Sequence, residues 1–414
     1  MSIRLDSSHA DWMRARETRT VMEALSADAG TARFVGGAVR NTLLGLHVDD
    51  IDIATPFLPG EVIRRLAFAR IKAVPTGIEH GTVTAIVGAK AFEITTLRRD
   101  VETDGRHAVV AFSDDWQEDA SRRDFTINAL YASPDGELCD YFGGLVDLEA
   151  RRIRFIGDPV QRIREDYLRI LRLFRFHAWY GSGAMDEPAL NAACDERGGL
   201  RQLSGERIQK EILRLLAAKN PTRAVEVMAQ KGILEEIIPG ELRLECFAHL
   251  VAMEDAYDID ADPVLRLCAL MPHDATVASD LAERLRLSGA NRDRMIELAA
   301  AHADISPSLA PATLHKLLYR LGPSRVSDRI LLNWSQDRSN SDNSAWAMLA
   351  GNARAWIGPE FPLSGRDVLA KGVAPGPRVG EILSRIETEW IESDFAGDRQ
   401  SLLKRLDVIA QFAP

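Results

Sequence analysis

Cysteine is scarce in this chain. Among 414 residues there are four, Cys139, Cys194, Cys246 and Cys268, and no two are spaced as C-x-x-C. Neither a zinc ribbon nor a disulfide framework can be built from them, and a reducing compartment fits. Long apolar runs are also missing. No stretch approaches the ~20 residues that cross a bilayer, so no membrane partner is expected. The opening MSIRLDSSHADWMR has no apolar core of a secretory leader, and a cytoplasmic location is the expectation. Nor is there a surplus of positive charge. Lys plus Arg number 51 against 61 Asp plus Glu, a net charge of −10, which argues against general nucleic-acid binding. Internal repeats and low-complexity tracts are absent.

Basic charge is instead concentrated. Arg151, Arg152, Arg154, Arg162, Arg164, Arg169, Arg172 and Arg175 fall in one stretch whose acids are Asp158, Glu165 and Asp166. Local rather than net charge sets the attraction to phosphates. A chain of this length is expected to form two to four domains.

The stretch that organises the rest is Phe34 to Thr55, FVGGAVRNTLLGLHVDDIDIAT. A short apolar strand meets Gly36-Gly37, a helix follows with Val39, Leu43 and Leu44 on its apolar side, and Asp50-Ile51-Asp52-Ile53-Ala54 reads as a second strand. Residues two apart in a strand face the same way, so Asp50 and Asp52 present adjacent carboxylates while Ile51 and Ile53 turn inward. In isolation this pattern is usually a solvated strand edge. Gly37 and Arg40 just upstream favour another reading, because glycines ahead of a helix let backbone N–H groups approach a phosphate. Paired carboxylates suit Mg²⁺, which keeps some water and takes further oxygens from phosphate.

Further along, an amphipathic helix is expected over the first ~30 residues, another from Pro59 to Phe68, and a hairpin from Thr82 to Thr96. Glu93 lies in the hairpin's second strand. It is either a solvent-facing position or, if the sheet brings it beside Asp50 and Asp52, a third carboxylate. Arg98 to Arg106 is charged and turn-like and reads as a loop. In Ser121-Arg122-Arg123-Asp124-Phe125-Thr126-Ile127-Asn128, Arg123 can orient a triphosphate, and Asp124 can accept from a ribose 2′-hydroxyl.

Beyond Gly157-Asp158-Pro159 helical periodicity takes over. One helix is expected from Arg162 to Ala178, with Tyr167, Ile170, Leu171, Phe174 and Ala178 on one face and Arg162, Asp166, Arg169 and Arg172 largely opposite. The simpler reading makes Asp166 and Arg169 an i,i+3 ion pair. The density of arginines supports a second. A carboxylate only accepts and a guanidinium only donates. Side by side they match a base edge that offers an amino donor next to a ring-nitrogen acceptor, as cytosine and adenine do. Uracil and guanine place a carbonyl where the amino group should be. Two mismatched polar groups at about 1–3 kcal/mol each give roughly a hundredfold discrimination or more. Ser204 is a candidate N-cap for the next helix. His273-Asp274 reads as a chance dipeptide, and Trp334, Trp346 and Trp356 as core or interface aromatics.

The string G-G-x-V-R-x-x-L-L-G followed by D-x-D, then R-R-D-F-T-I-N-A-L and Glu165-Asp166-x-x-Arg169, resembles polymerase-β-like nucleotidyltransferases. More narrowly it resembles class II CCA-adding tRNA nucleotidyltransferases and their bacterial poly(A) polymerase relatives. The resemblance implies an α+β fold: a nucleotidyltransferase head with a mixed sheet, then an all-α neck, body and tail. Expected bounds are an N-terminal helix over 1–30, a head over 31–157, a base-reading neck over 158–240, and a tRNA-binding body and tail over 241–414. It also implies CTP and ATP as substrates, tRNA as partner and Mg²⁺ as cofactor. Catalytic and metal-binding roles fall to Asp50, Asp52 and Glu93. Nucleotide binding falls to Gly37, Arg40, Arg123, Asp124, Asp166, Arg169, Arg172 and Arg175. The Arg98–Arg106 loop is implied to help the change from C to A addition. One departure is Asn41, where the family has Asp; an amide hydrogen-bonds but carries no charge. A poly(A) polymerase using ATP alone is the alternative. Against it stand Gly77-Ile78-Glu79-His80-Gly81 in place of a basic G-R-R-F-type string, and the lack of a basic C-terminal extension. A non-catalytic RNA-binding protein is disfavoured because both motif aspartates are present.

Overall fold

The computed structural model describes residues 4–6, 10–104, 107–300, 305–337 and 343–411, with backbone alone from 100 to 110. Its chain divides into two compact units, Met1–Gly240 with Arg284–Leu287, and Glu241–Glu283 with Ser288–Pro414.

The first unit holds a seven-stranded sheet in the order β3-β4-β5-β2-β1-β8-β9. Its strands are β1 (Arg33–Val35), β2 (Ile51–Thr55), β3 (Lys72–Gly77), β4 (Thr82–Val87), β5 (Lys90–Thr96), β8 (Leu130–Ala132) and β9 (Leu138–Asp140). A separate two-stranded ribbon pairs β6 (Arg98–Asp104) with β7 (His107–Phe112). Only the β2–β5 pair is parallel, which makes the sheet mixed. Ile53 in β2, Phe92 and Ile94 in β5 and Val83 in β4 are fully buried, so alternation fixes which face of each strand meets the core.

Helices of this unit are α1 (Asp11–Arg14), α2 (Arg16–Ala24), α3 (Gly37–Leu43), α4 (Pro59–Phe68), α5 (Trp116–Ser121), α6 (Gly144–Glu149), α7 (Pro159–Glu165), α8 (Leu168–Tyr180), α9 (Glu187–Asp195), α10 (Gly205–Leu216) and α11 (Thr222–Gln230). Three expectations need correction. The N-terminal helix is broken at Ala15, whose ψ of 139° is extended. The charged stretch read as a loop is strand β6. Its partner β7, HAVVAF, has the β-branched content that a strand needs; Gly105 and Arg106 lie outside the described residues. The single helix expected from Arg162 is two, α7 and α8, separated at Asp166, where φ −157° and ψ 105° are extended. Ser204 does occupy the N-cap of α10, but its side chain makes no cap hydrogen bond.

The second unit is helical: α12 (Leu244–Ala256), α13 (Pro263–Leu270), α14 (Ala275–Arg284), α15 (Gly289–Ala300), α16 (Pro311–Leu321), α17 (Pro323–Gln336), α18 (Asn343–Ala355), α19 (Gly365–Leu369), α20 (Pro377–Glu392) and α21 (Arg399–Gln411). Trp334 and Trp346 are buried and stack with their rings 6.4 Å apart and 7° from parallel. Asp274 accepts from the backbone N–H groups of Thr276 and Val277, so the His273-Asp274 dipeptide is helix capping. No helix among the described residues is long and apolar enough to cross a membrane.

Candidate active site

A cleft of about 420 Å³ opens in the first unit between the sheet and α8. Asp52 stands on its strand side, with Gly36, Gly37 and Arg40 at the β1–α3 turn. Gly36 has φ +70°, and an added Cβ would lie 3.6 Å from the Asn128 carbonyl and 3.7 Å from Arg123 Nη1. The turn therefore favours a residue without a side chain. Arg122, Arg123, Asp124 and Asn128 form the floor; Asp166, Arg169, Arg172 and Phe176 form the opposite wall.

On the strand side, parallel register sets Asp52 directly beside Glu93. Asp50, one residue before β2, shares their face by alternation. Burial pushes the Asp52 carboxyl up to about 6, and the negative charges of Glu93 and Asp50 add to the rise, while Arg123 and Arg40 oppose it. Glu93 and Asp50 are exposed. Among the described residues no three His, Cys, Asp or Glu side chains stand close enough to cage a metal ion, so the three-acid cluster expected from sequence is not preassembled. The donors still fit a hard cation. All are carboxylate oxygens, their mutual repulsion disfavours full ionisation without a counter-charge, and Mg²⁺ commonly takes one or two carboxylates and completes its shell with water and substrate phosphate.

The helical wall is assembled by partners. Arg162 donates to the backbone carbonyls of Arg122 and, at 2.6 Å, Arg123. Glu165 bridges Arg162 and Arg169, each at 2.5 Å, and Arg169 Nη1 also donates to the Arg162 carbonyl at 2.7 Å. Asp166 does not pair with Arg169. Its Oδ2 accepts from Arg207 on α10 at 2.8 Å and its Oδ1 from the Leu168 N–H at 3.1 Å. The i,i+3 ion pair fails because Asp166 is not on the helix at all. Its carboxylate keeps a lone pair on each oxygen, and Arg169 keeps its Nε–H.

Asp124 is more engaged than its sequence suggests. Its oxygens accept from the Phe125 N–H at 2.8 Å, Asn128 Nδ2 at 2.9 Å and Arg172 Nε at 2.8 Å, with Arg172 Nη2 as a fourth donor. Burial would raise its pKa, but the Arg172 charge and these bonds hold it well below the usual carboxylate range. All four lone-pair sites are filled, so a ribose hydroxyl could enter only if Arg172 released one bond. Arg123 is held from behind by Asp119 at 3.0 Å and Tyr131 at 3.2 Å. Arg175 does not line the cleft; it pairs with buried Glu211 at 2.5 Å.

Arg40 is buried, and its acceptors are neutral. Nη1 donates to Asn128 Oδ1 at 2.5 Å, Nε and Nη2 to Asn41 Oδ1 at 3.2 and 2.9 Å, and Nη2 to the Tyr180 hydroxyl at 2.8 Å. Asn41 thus serves as a neutral acceptor and anchors itself to the His47 carbonyl at 2.9 Å. Sequence reading did not single out Asn128, Arg207, Phe176 or Tyr180. Asn128 was detectable in principle, because an amide both donates and accepts and can join Arg40 to Asp124.

The sheet order, the lone parallel pair and the cleft facing α8 define a polymerase-β-like nucleotidyltransferase. Residues 32–154 match the family model described as "Poly A polymerase head domain", and residues 184–241 match "Probable RNA and SrmB- binding site of polymerase A". CCA tRNA nucleotidyltransferase 1, mitochondrial, of Mus musculus is 31% identical over 97% of this chain and 92% of its own. The Danio rerio enzyme of the same name is 34% identical over 90% and 86%. A CCA-adding enzyme of Levilactobacillus brevis is 30% identical over 93% and 96%. The crystal structure of the Bacillus stearothermophilus CCA-adding enzyme in complex with CTP superposes with a TM-score of 0.75, at 26% identity over 96% of this chain and 97% of that one. The chain belongs to the family of CCA-adding tRNA nucleotidyltransferases.

Proposed function

We propose that this chain adds C and A to the 3′ end of tRNA from CTP and ATP, without a nucleic-acid template, and does so in the cytoplasm. The observation that carries the reading is that Asp52, the Gly37–Arg40 turn, Asp166 and Arg169 face one cleft. In the reaction the RNA 3′-hydroxyl oxygen forms a bond to the α-phosphorus, the bond from that phosphorus to the β-phosphate oxygen breaks, and pyrophosphate leaves.

Asp50, Asp52 and Glu93 would hold Mg²⁺. A bound divalent cation there lowers the pKa of the attacking hydroxyl and offsets the triphosphate charge. Gly37 and Arg40 hold phosphates, and Arg123 joins them from the floor. Asp124 positions Arg172 and Asn128 and contacts the ribose once Arg172 yields. Asp166 accepts from the base amino group while Arg169 donates to the adjacent ring nitrogen. The free lone pairs of Asp166 and the free Nε–H of Arg169 support this assignment. Arg175 acts at a remove, through Glu211. The helices from α7 onward and the second unit bind the tRNA.

The deciding experiment supplies the pure protein with a tRNA lacking its terminal CCA, Mg²⁺ and each nucleoside triphosphate in turn. Addition of two C and one A is expected, with U and G excluded. A long adenosine tail from ATP alone would instead support a poly(A) polymerase, the reading favoured by the description of the head-domain family model.

A further inference from the structure

Tyr180 closes α8, at the opposite end of that helix from Asp166 and Arg169. It is not one of the cleft residues, yet its hydroxyl meets Arg40, which is. A guanidinium has five N–H donors. In Arg40 four are committed: one to Asn128, two to Asn41 and one to Tyr180. One hydrogen on Nη1 remains. Among the described residues no carboxylate forms an ion pair with Arg40, so orientation is achieved without cancelling its charge. The ring of Tyr180 lies 4.0 Å from the guanidinium carbon and that of Phe176 5.3 Å, and aromatic faces attract a cation while leaving its charge in place.

Arg172, Phe176 and Tyr180 recur every four residues, so they form one stripe along α8. Arg172 lies over the Phe176 ring at 5.2 Å, and the Phe176 and Tyr180 rings are 5.6 Å apart. The helix that carries Arg169 near its first turn thus holds Arg40 by its last residue.

We propose that Tyr180 is a positioning residue for the triphosphate. It fixes the Arg40 fork so that its remaining donor meets a phosphate oxygen, and α8 thereby engages both the base and the phosphate end of one nucleotide. This rests on the nucleotidyl-transfer reading above.

The test uses the full-length chain with Tyr180→Phe, which keeps the ring and removes the hydroxyl. KM for CTP and for ATP, and the inhibition constant for pyrophosphate, are expected to rise together by roughly three- to tenfold, the range for the net worth of one ordinary hydrogen bond, since Tyr180 acts through Arg40 and does not touch the phosphate itself. Discrimination of C against U should not change, and the thermal unfolding temperature should stay within about 2 °C, since Arg40 lines the cleft, where water can take the freed donor. A merely structural tyrosine would move the unfolding temperature and leave pyrophosphate binding alone, and that result overturns the proposal. In an Arg40→Lys background, Tyr180→Phe should add less than about twofold, because both changes remove the same interaction. Multiplicative effects overturn it as well. If the wild-type chain adds no nucleotide, the function proposed above fails. Calorimetric binding of pyrophosphate to wild type and Tyr180→Phe then still decides whether Tyr180 serves a phosphate site.

Discussion

The two walls of the cleft are built on opposite principles. On the helical wall each functional group is already anchored by an opposite partner: Arg169 by Glu165 and the Arg162 carbonyl, Arg172 by Asp124, and Asp166 by Arg207. On the strand wall Asp52 and Glu93 are neighbours of like charge, and the Asp52 carboxyl is pushed up rather than down. One wall is held in place before any ligand arrives; the other is finished by what binds. Discrimination between bases needs a fixed template of donors and acceptors. Phosphoryl chemistry needs uncompensated negative charge that a cation can use.

The sharpest way to break this contrast is Asp52→Asn. Incorporation should fall by roughly 10²–10³-fold or more, as when charge stabilisation is removed from a transition state. The protein itself should become more stable. The folded-state pKa of Asp52, about 6, lies above the ordinary 3.8. Its ionisation therefore costs folding free energy that is absent below about pH 4 and full above about pH 6, on the order of 1–3 kcal/mol. Denaturant unfolding in a chelator at pH 7.5 should show the gain, and at pH 4 the two proteins should coincide. Adding Mg²⁺ should stabilise the wild type more than Asp52→Asn.

The helical wall should respond in the opposite sense. Asp166→Ala should leave addition of C measurable while discrimination against U and G falls by up to roughly a hundredfold, read from kcat/KM for the four triphosphates. The same measurement on Arg175→Lys, a residue turned away to Glu211, should show little change in discrimination.

A smaller effect sharpens the comparison further. Asp119 is buried, which would raise its pKa, but Arg123 and Arg122 bring it down to about 2. Its contribution to stability is present above about pH 4 and lost as pH falls towards 2, about 2 kcal/mol in all. Asp119→Asn should lower stability at pH 7 by about that amount and flatten the acid limb of the unfolding curve, the reverse of Asp52→Asn.

The strand wall was legible in the sequence because its determinants are local. Alternation alone places Asp50 and Asp52 on one face and Ile53 in the core, and a hairpin signal locates Glu93. The helical wall was legible in residue identity but not in geometry. Periodicity carried a single helix through Asp166, since Arg162 to Ala178 is apolar at the right spacing throughout. The break comes from contacts far along the chain: Arg207, 41 residues away, takes the carboxylate, and the ring of Tyr167 occupies the space a Cβ on Gly199 would fill, 2.1 Å from it. No window of local pattern contains those partners. The β6–β7 ribbon was missed for a related reason, since a charged strand is recognisable only by the strand it pairs with.

The extended peptide at Asp166 has one more consequence. In an unbroken helix, adding or deleting a residue rotates everything downstream by about 100°, so a change in α7 would swing the arginines of α8 off target. Here the count restarts at Leu168. The angular phase of Arg169 and Arg172 is insulated from the length of the segment that precedes them, and that segment can change so long as Arg162 and Glu165 keep their hold on Arg169.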